Sequence, residues 1–143
     1  DVAALSWAFS VAGVANPPLF EAMAMTILEN GQLRKLSGPL AAELAWGYAA
    51  AQSQIPKLYA VLEEVCVSNI QELETEDITQ FAWAFAMMGR RDPAVFRHIA
   101  AYADRFVGRL RPMEARILAW ALDAVGAGSS DALRRRVAME TAA

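Results

Sequence analysis

The sequence contains one cysteine, Cys66, and one histidine, His98, in 143 residues. A lone cysteine forms no internal disulfide, and together with one histidine it supplies only two of the four ligands of a structural zinc site. No nucleophile and base stand at catalytic spacing around His98, so the chain offers no triad. There is no glycine-rich loop after a strand-like run, which excludes the phosphate-cradling motifs of nucleotide enzymes. Glycine (8) and proline (6) are few and widely spaced, and they leave long stretches free for helices. Charged residues make up 20% and hydrophobic residues 56%, too apolar a balance for a disordered chain. The uncharged stretch 2–20 has the length to span a bilayer, but Gly13, Asn16, Pro17 and Pro18 divide it into helix, loop and new helix. Neither an enzyme, a cofactor nor a membrane span is expected. The chain starts at Asp1 inside an apolar helical pattern, so it is expected to be a piece of a longer protein.

Charge is unevenly spread. Residues 1–80 hold ten acids and three bases (−7), and residues 81–143 hold six acids and ten bases (+4), which together give −3. All ten bases of the second half are arginine. The whole chain is therefore no basic nucleic-acid binder, although its second half has the charge for it.

Tryptophan sets the register of what is present. Trp7, Trp46, Trp83 and Trp120 lie 39, 37 and 37 residues apart, within ALSWAFS, ELAWGYA, QFAWAFA and ILAWALD. Thirteen residues after each comes a large side chain: Phe20, Tyr59, Phe96 and Leu133. Six residues after come Gly13, Gln52, Gly89 and Gly126, and Leu36, Leu73 and Leu110 recur at intervals of 37. The two extra residues of the first copy fall between Phe20 and Leu36, near Asn30–Gly31. Similarity at a fixed period of this length marks a stacked-repeat architecture.

Each copy divides into two helices. The first closes at the residue six past the tryptophan, where glycine can adopt positive φ. The second opens at Asn16–Pro17, Pro56, Asp92–Pro93 and near Ser130–Asp131, where Asn or Asp can cap the helix and proline suits its first position. Phe96, Ile99, Ala103, Phe106, Val107 and Leu110 share one helical face. Helices are expected over 2–13, 17–31, 39–52, 56–72, 76–89, 93–109, 112–126 and 130–142. The expected fold is an all-α, right-handed α-solenoid of four helical hairpins and eight helices, a single unit over 1–143 with repeats near 1–36, 37–73, 74–110 and 111–143. One hairpin cannot bury its apolar faces alone, whereas a stack closes a continuous core.

A proline start, as in Asn16–Pro17–Pro18–Leu19–Phe20, the pair Leu36–Ser37, and tryptophan followed by Ala–Phe–Ala, as in Phe81–Ala82–Trp83–Ala84–Phe85–Ala86, resemble the octotricopeptide repeats. The chain is similar along its whole length to these and to the related heptatricopeptide and FAST-kinase-like, RAP-associated repeats. The resemblance implies RNA binding in a mitochondrion or plastid, in transcript processing, stability or translation, or as part of an organellar ribosome.

The four tryptophans, with apolar neighbours on both sides, are expected to fill the hairpin core. Cys66 reads as a small buried hydrophobe and His98 as a solvated surface residue. Glu72, Glu74, Glu76 and Asp77 read as a solvated loop and first turn that complement a helix dipole. The candidate nucleic-acid contacts are Arg90, Arg91, Arg105, Arg109, Arg116, Arg134 and Arg135, because a guanidinium can hold phosphate through two charge-assisted hydrogen bonds. Residues four and three before each tryptophan vary between copies, and Thr79, Gln80 and Arg116 are the candidate base-reading positions. Two functions follow: an RNA-binding array, whose arginines should gather on one face, or a protein-binding scaffold subunit of a larger assembly, which should expose apolar side chains at the ends of the array or along one groove.

Overall fold

A computed structural model describes residues 16–142, and these form seven α-helices joined by short turns: α1 (Pro17–Glu29), α2 (Gly38–Ala50), α3 (Pro56–Ser68), α4 (Thr75–Met87), α5 (Pro93–Arg105), α6 (Pro112–Ala124) and α7 (Asp131–Ala142). The chain is all-α, with no strand among the described residues. The expected helix 2–13, with Trp7 and Gly13, lies outside them.

Local chemistry sets the ends of the helices. The side chains of Asn16, Ser37, Asp92 and Ser130 accept hydrogen bonds from the backbone N–H groups of Leu19, Leu40, Ala94 and Leu133, at 3.0–3.3 Å. Helices α4 and α6 open with a carboxylate three residues in that reaches back to the cap: Asp77 and Glu114 accept from the backbone N–H of Glu74 and Arg111, at 3.0 and 2.8 Å. Proline stands in the first turn of α1, α2, α3, α5 and α6.

The tryptophan helices α2, α4 and α6 close in one way. Gln52, Gly89 and Gly126 all have positive φ, at 58°, 72° and 82°. Their N–H groups and those of the next residues turn back to carbonyls of the last helical turn, as in Arg90 N–H to Phe85 O at 2.8 Å. The glycine pattern therefore holds even where the glycine is missing, and Gln52 adopts the strained conformation in its place. Nothing lies within 4 Å of a side chain added at Gly89, so only the backbone resists substitution there. Gly89→Ala is expected to cost about 1 kcal/mol, and Gln52→Gly to be neutral or to stabilise by up to about 1 kcal/mol, in urea denaturation.

The second helices are shorter than expected. The segments expected at 56–72 and 93–109 end as α-helix at Ser68 and Arg105, and each continues after one residue as a 3₁₀ turn, Ile70–Glu72 and Val107–Arg109. The amphipathic run Phe96–Leu110 is thus broken at Phe106, where φ reaches −110°, and the turn brings Leu110 into the core at 1% exposure. In the first copy three residues, 30–32, separate α1 from the equivalent turn Leu33–Lys35, and Gly31 takes φ of 65°. This is where the two extra residues lie.

Packing follows two series. Helix α2 packs on α4 and α4 on α6, while α1, α3, α5 and α7 touch one another in the same order, and neighbours in the chain connect the series. The small residues beside the tryptophans, Ala45, Gly47, Ala82, Ala84 and Ala121, are buried and allow the close approach of α2, α4 and α6. The core between the two series takes Phe20, Tyr59, Phe96 and Leu133, each at most 2% exposed. Tyr48 stacks on Phe20, with centroids 3.8 Å apart, and donates its hydroxyl to Phe20 O; Tyr102 donates likewise to Leu73 O, both at 2.7 Å. Cys66 is fully buried, and burial pushes its thiol above the usual range, as expected of an inert apolar residue.

Candidate nucleic-acid interface

The described tryptophans do not fill the core. Trp46 and Trp83 are half-buried and Trp120 is 45% exposed. The reason lies in helix geometry. Residues two before and two after a tryptophan sit about 200° away from it on a helical wheel, on the opposite side. Those positions hold Leu44 and Tyr48, Phe81 and Phe85, Leu118 and Leu122, all at most 3% exposed. With these pairs in the core, the indole is directed away from it.

The three indoles therefore lie along one face, made by the successive helices α2, α4 and α6. Trp46 and Trp83 meet with centroids 6.2 Å apart and planes tilted by 36°. Trp83 and Trp120 border a groove of about 350 Å³, completed by Met87, Met113, Arg116 and Ile117. Met87 and Met113 are 46% and 62% exposed, which makes this the most open apolar stretch of α2, α4 and α6. Gln80, one turn before Trp83, is half-buried, and Arg116 is exposed.

The expected base-reading pair at 79 and 80 is split. Thr79 is buried, with its hydroxyl donated to Thr75 O at 2.7 Å, so only Gln80 reaches the face. The equivalent of Gln80 in α2 is Glu43, which is 2% exposed and has one carboxylate oxygen without a hydrogen-bond partner. Burial raises its carboxyl above the usual carboxylate range, and Glu76 and Asp77 add to the effect. A raised folded value means that the folded chain holds this proton more tightly than the unfolded chain does. Stability from this group is then lost as pH rises from the unfolded value through the folded one. Glu43→Gln is expected to be more stable than the parent at pH 7 and to lose that advantage near pH 4, in urea denaturation at the two pH values.

The candidate arginines do not gather on one face. Arg116 alone borders the indole groove. Arg90 is turned back on buried Glu63 and forms an ion pair with it. Arg91 lies in a separate cleft with Arg97, between α5 and the end of α6. Arg105 and Arg109 do not share a helix, because α5 ends at Arg105; both guanidinium groups lie 5.2 Å from the centroid of Phe106. Arg134 donates to Ser129 Oγ at 3.1 Å and pairs with Asp131 at 3.5 Å, while Arg135 is exposed on α7. The acidic segment 72–77 does not stay wholly in solvent, since Asp77 is buried as the helix cap. Among the described residues no cluster of metal-ligating side chains occurs, and no helix is long and apolar enough to cross a membrane.

No family model, curated protein or solved structure matches this chain.

Proposed function

We propose that the chain is a segment of an α-solenoid of tandem helical hairpins that binds single-stranded RNA along the face of Trp46, Trp83 and Trp120, without catalysing a reaction. The observation that supports this best is the recurrence of one indole per 37 residues on the same side of successive helices. Every base offers a flat π-face, and stacking on an aromatic side chain contributes about 1–3 kcal/mol per base regardless of sequence. One such platform per hairpin suits one nucleotide per repeat. Gln80 adds both a donor and an acceptor for a base edge, and Arg116 adds a cation for phosphate. The octotricopeptide resemblance directs the reading to an RNA of a mitochondrion or plastid, either a transcript or the RNA of a ribosome.

A second reading, a protein-binding scaffold of an organellar assembly, is favoured by Met87 and Met113. Adaptable thioether side chains beside two indoles suit the apolar face of a partner helix. Fluorescence anisotropy with a labelled single-stranded RNA pool across a salt series separates the two. RNA binding on this face predicts that Trp120→Ala weakens affinity at least about fivefold, the lower end of a stacking contribution of about 1–3 kcal/mol. It also predicts a shallow salt dependence, because each phosphate contact contributes a slope of about −0.7 and Arg116 is the one arginine bordering the groove. An affinity unchanged by Trp120→Ala would sink the RNA reading and leave the scaffold in front.

A further inference from the structure

A second cleft, of about 560 Å³, lies away from the indoles against α5, lined by Ile70, Gln71, His98, Tyr102, Arg105 and Phe106. Its size falls within the range of small-molecule sites. The Tyr102 hydroxyl is already donated to Leu73 O, and the N–H groups of Arg105 and Gln71 are the donors that suit an anion there. Arg105 and Arg109 both pack their guanidinium groups against Phe106, at 5.2 Å from the centroid. A guanidinium held near a ring by cation–π attraction still has N–H groups to offer an oxygen. Arg34, Arg90 and Arg134 each pair with a carboxylate, yet among the described residues none lies within ion-pair distance of Arg105 or Arg109. Of the surrounding acids, Asp104 accepts from Ser130 and the carboxylates of Asp77 and Glu114 accept from backbone N–H groups at their helix starts, while Glu72 and Glu74 are exposed to solvent beside Gln71. His98 donates its Nδ1–H to Ala94 O at 2.8 Å, which leaves Nε2 as its open atom. Cations at the end of a helix also complement its dipole. That accounts for the charge of Arg105, but not for two guanidinium groups on one ring beside a cleft.

We propose that this cleft binds the phosphate of a nucleotide, with the phosphate against Arg105 and Gln71 and the base against Ile70. Arg109 holds Phe106 from outside the cleft lining and places a second positive charge near it. The nucleotide is either free in solution or one unit of an RNA strand. The inference goes beyond the indole face and shares no residue with it.

His98 is the one histidine of the chain, so its ring C–H signals are an unambiguous NMR reporter. The whole chain is titrated separately with adenosine 5′-monophosphate, phosphate-free adenosine, inorganic phosphate and a short oligouridine RNA, while the His98 ring and Arg105 Nε–H signals are followed. Saturable shifts with the monophosphate that adenosine does not reproduce, weakened about tenfold or more by Arg105→Gln, bear out a free nucleotide. The same shifts with the RNA alone bear out a strand. Arg97→Gln removes the same charge from the same helix outside this cleft and should leave either titration unchanged. Silence of both reporters toward both ligands overturns the proposal. So does equal weakening by the two variants, or a response to inorganic phosphate as tight as that to the monophosphate and the RNA. The indole N–H signals of Trp83 and Trp120 report the other face, so failure of one site is distinguishable from failure of the other.

Discussion

Phe81→Ala is expected to destabilise the chain by about 3–5 kcal/mol, the cost of emptying a fully enclosed aromatic site. Phe81 is 0% exposed and packs on Phe85 with centroids 5.6 Å apart. It belongs to α4, which contacts both α2 and α6, so the surroundings have little freedom to collapse into the cavity. Domains of this size have about 5–15 kcal/mol of stability in all, so the loss is a large share. Trp83→Ala, two residues along and with a larger side chain removed, is expected to cost less than Phe81→Ala, because the indole is only partly buried. Urea denaturation of the two variants measures the contrast. A greater loss for Trp83→Ala would place the indole in the core and remove the basis for a binding face there.

Arg90→Ala is expected to cost about 2–3 kcal/mol and to leave RNA affinity unchanged. Glu63 is buried, with its side chain 7% exposed, and both the Nε–H and a terminal N–H of Arg90 are donated to the same carboxylate oxygen. Removing Arg90 leaves that carboxylate without its counter-charge in a site poor in water. Breaking a fully buried pair in this way costs about 3–5 kcal/mol, and the value here is lower because the Arg90 side chain is 28% exposed. The double variant Arg90→Ala with Glu63→Gln should recover much of the loss, since the uncompensated charge is then gone. Unchanged stability together with weaker RNA binding would return Arg90 to the contacts expected from sequence.

Much of the fold was legible because it rests on neighbours in sequence. Prolines and capping side chains mark the helix starts, and the period of 37 was visible from the tryptophans alone. The position of the two extra residues could also be read, since a residue with positive φ and its flanking hydrogen bonds are local. The second helices were read too long because Phe106, Val107 and Leu110 continue an apolar period whether or not the backbone does. A 3₁₀ turn places Leu110 in the core as well as a further helical turn would, and periodicity does not separate the two.

The site was less legible, although one signal was present. Large residues two before and two after each tryptophan face away from it on a helix, and both cannot share the core with the indole between them. The expectation of buried tryptophans rested on the flanking composition and overlooked this geometry. The arginines carried no such signal. Arg90 finds Glu63 27 residues away, and Arg105 and Arg109 meet on Phe106 only because the helix stops between them.

The sequence by itself thus determined the helical class, the repeat period, the helix starts and the large side chain thirteen residues past each tryptophan, since each depends on contacts within a turn or on simple periodicity. Tertiary structure alone decided which side of each tryptophan helix stays open, which arginines are consumed by buried carboxylates, and which are left beside a cleft. Those outcomes depend on which helix covers which face, and the covering helix lies some 25–40 residues away in the chain.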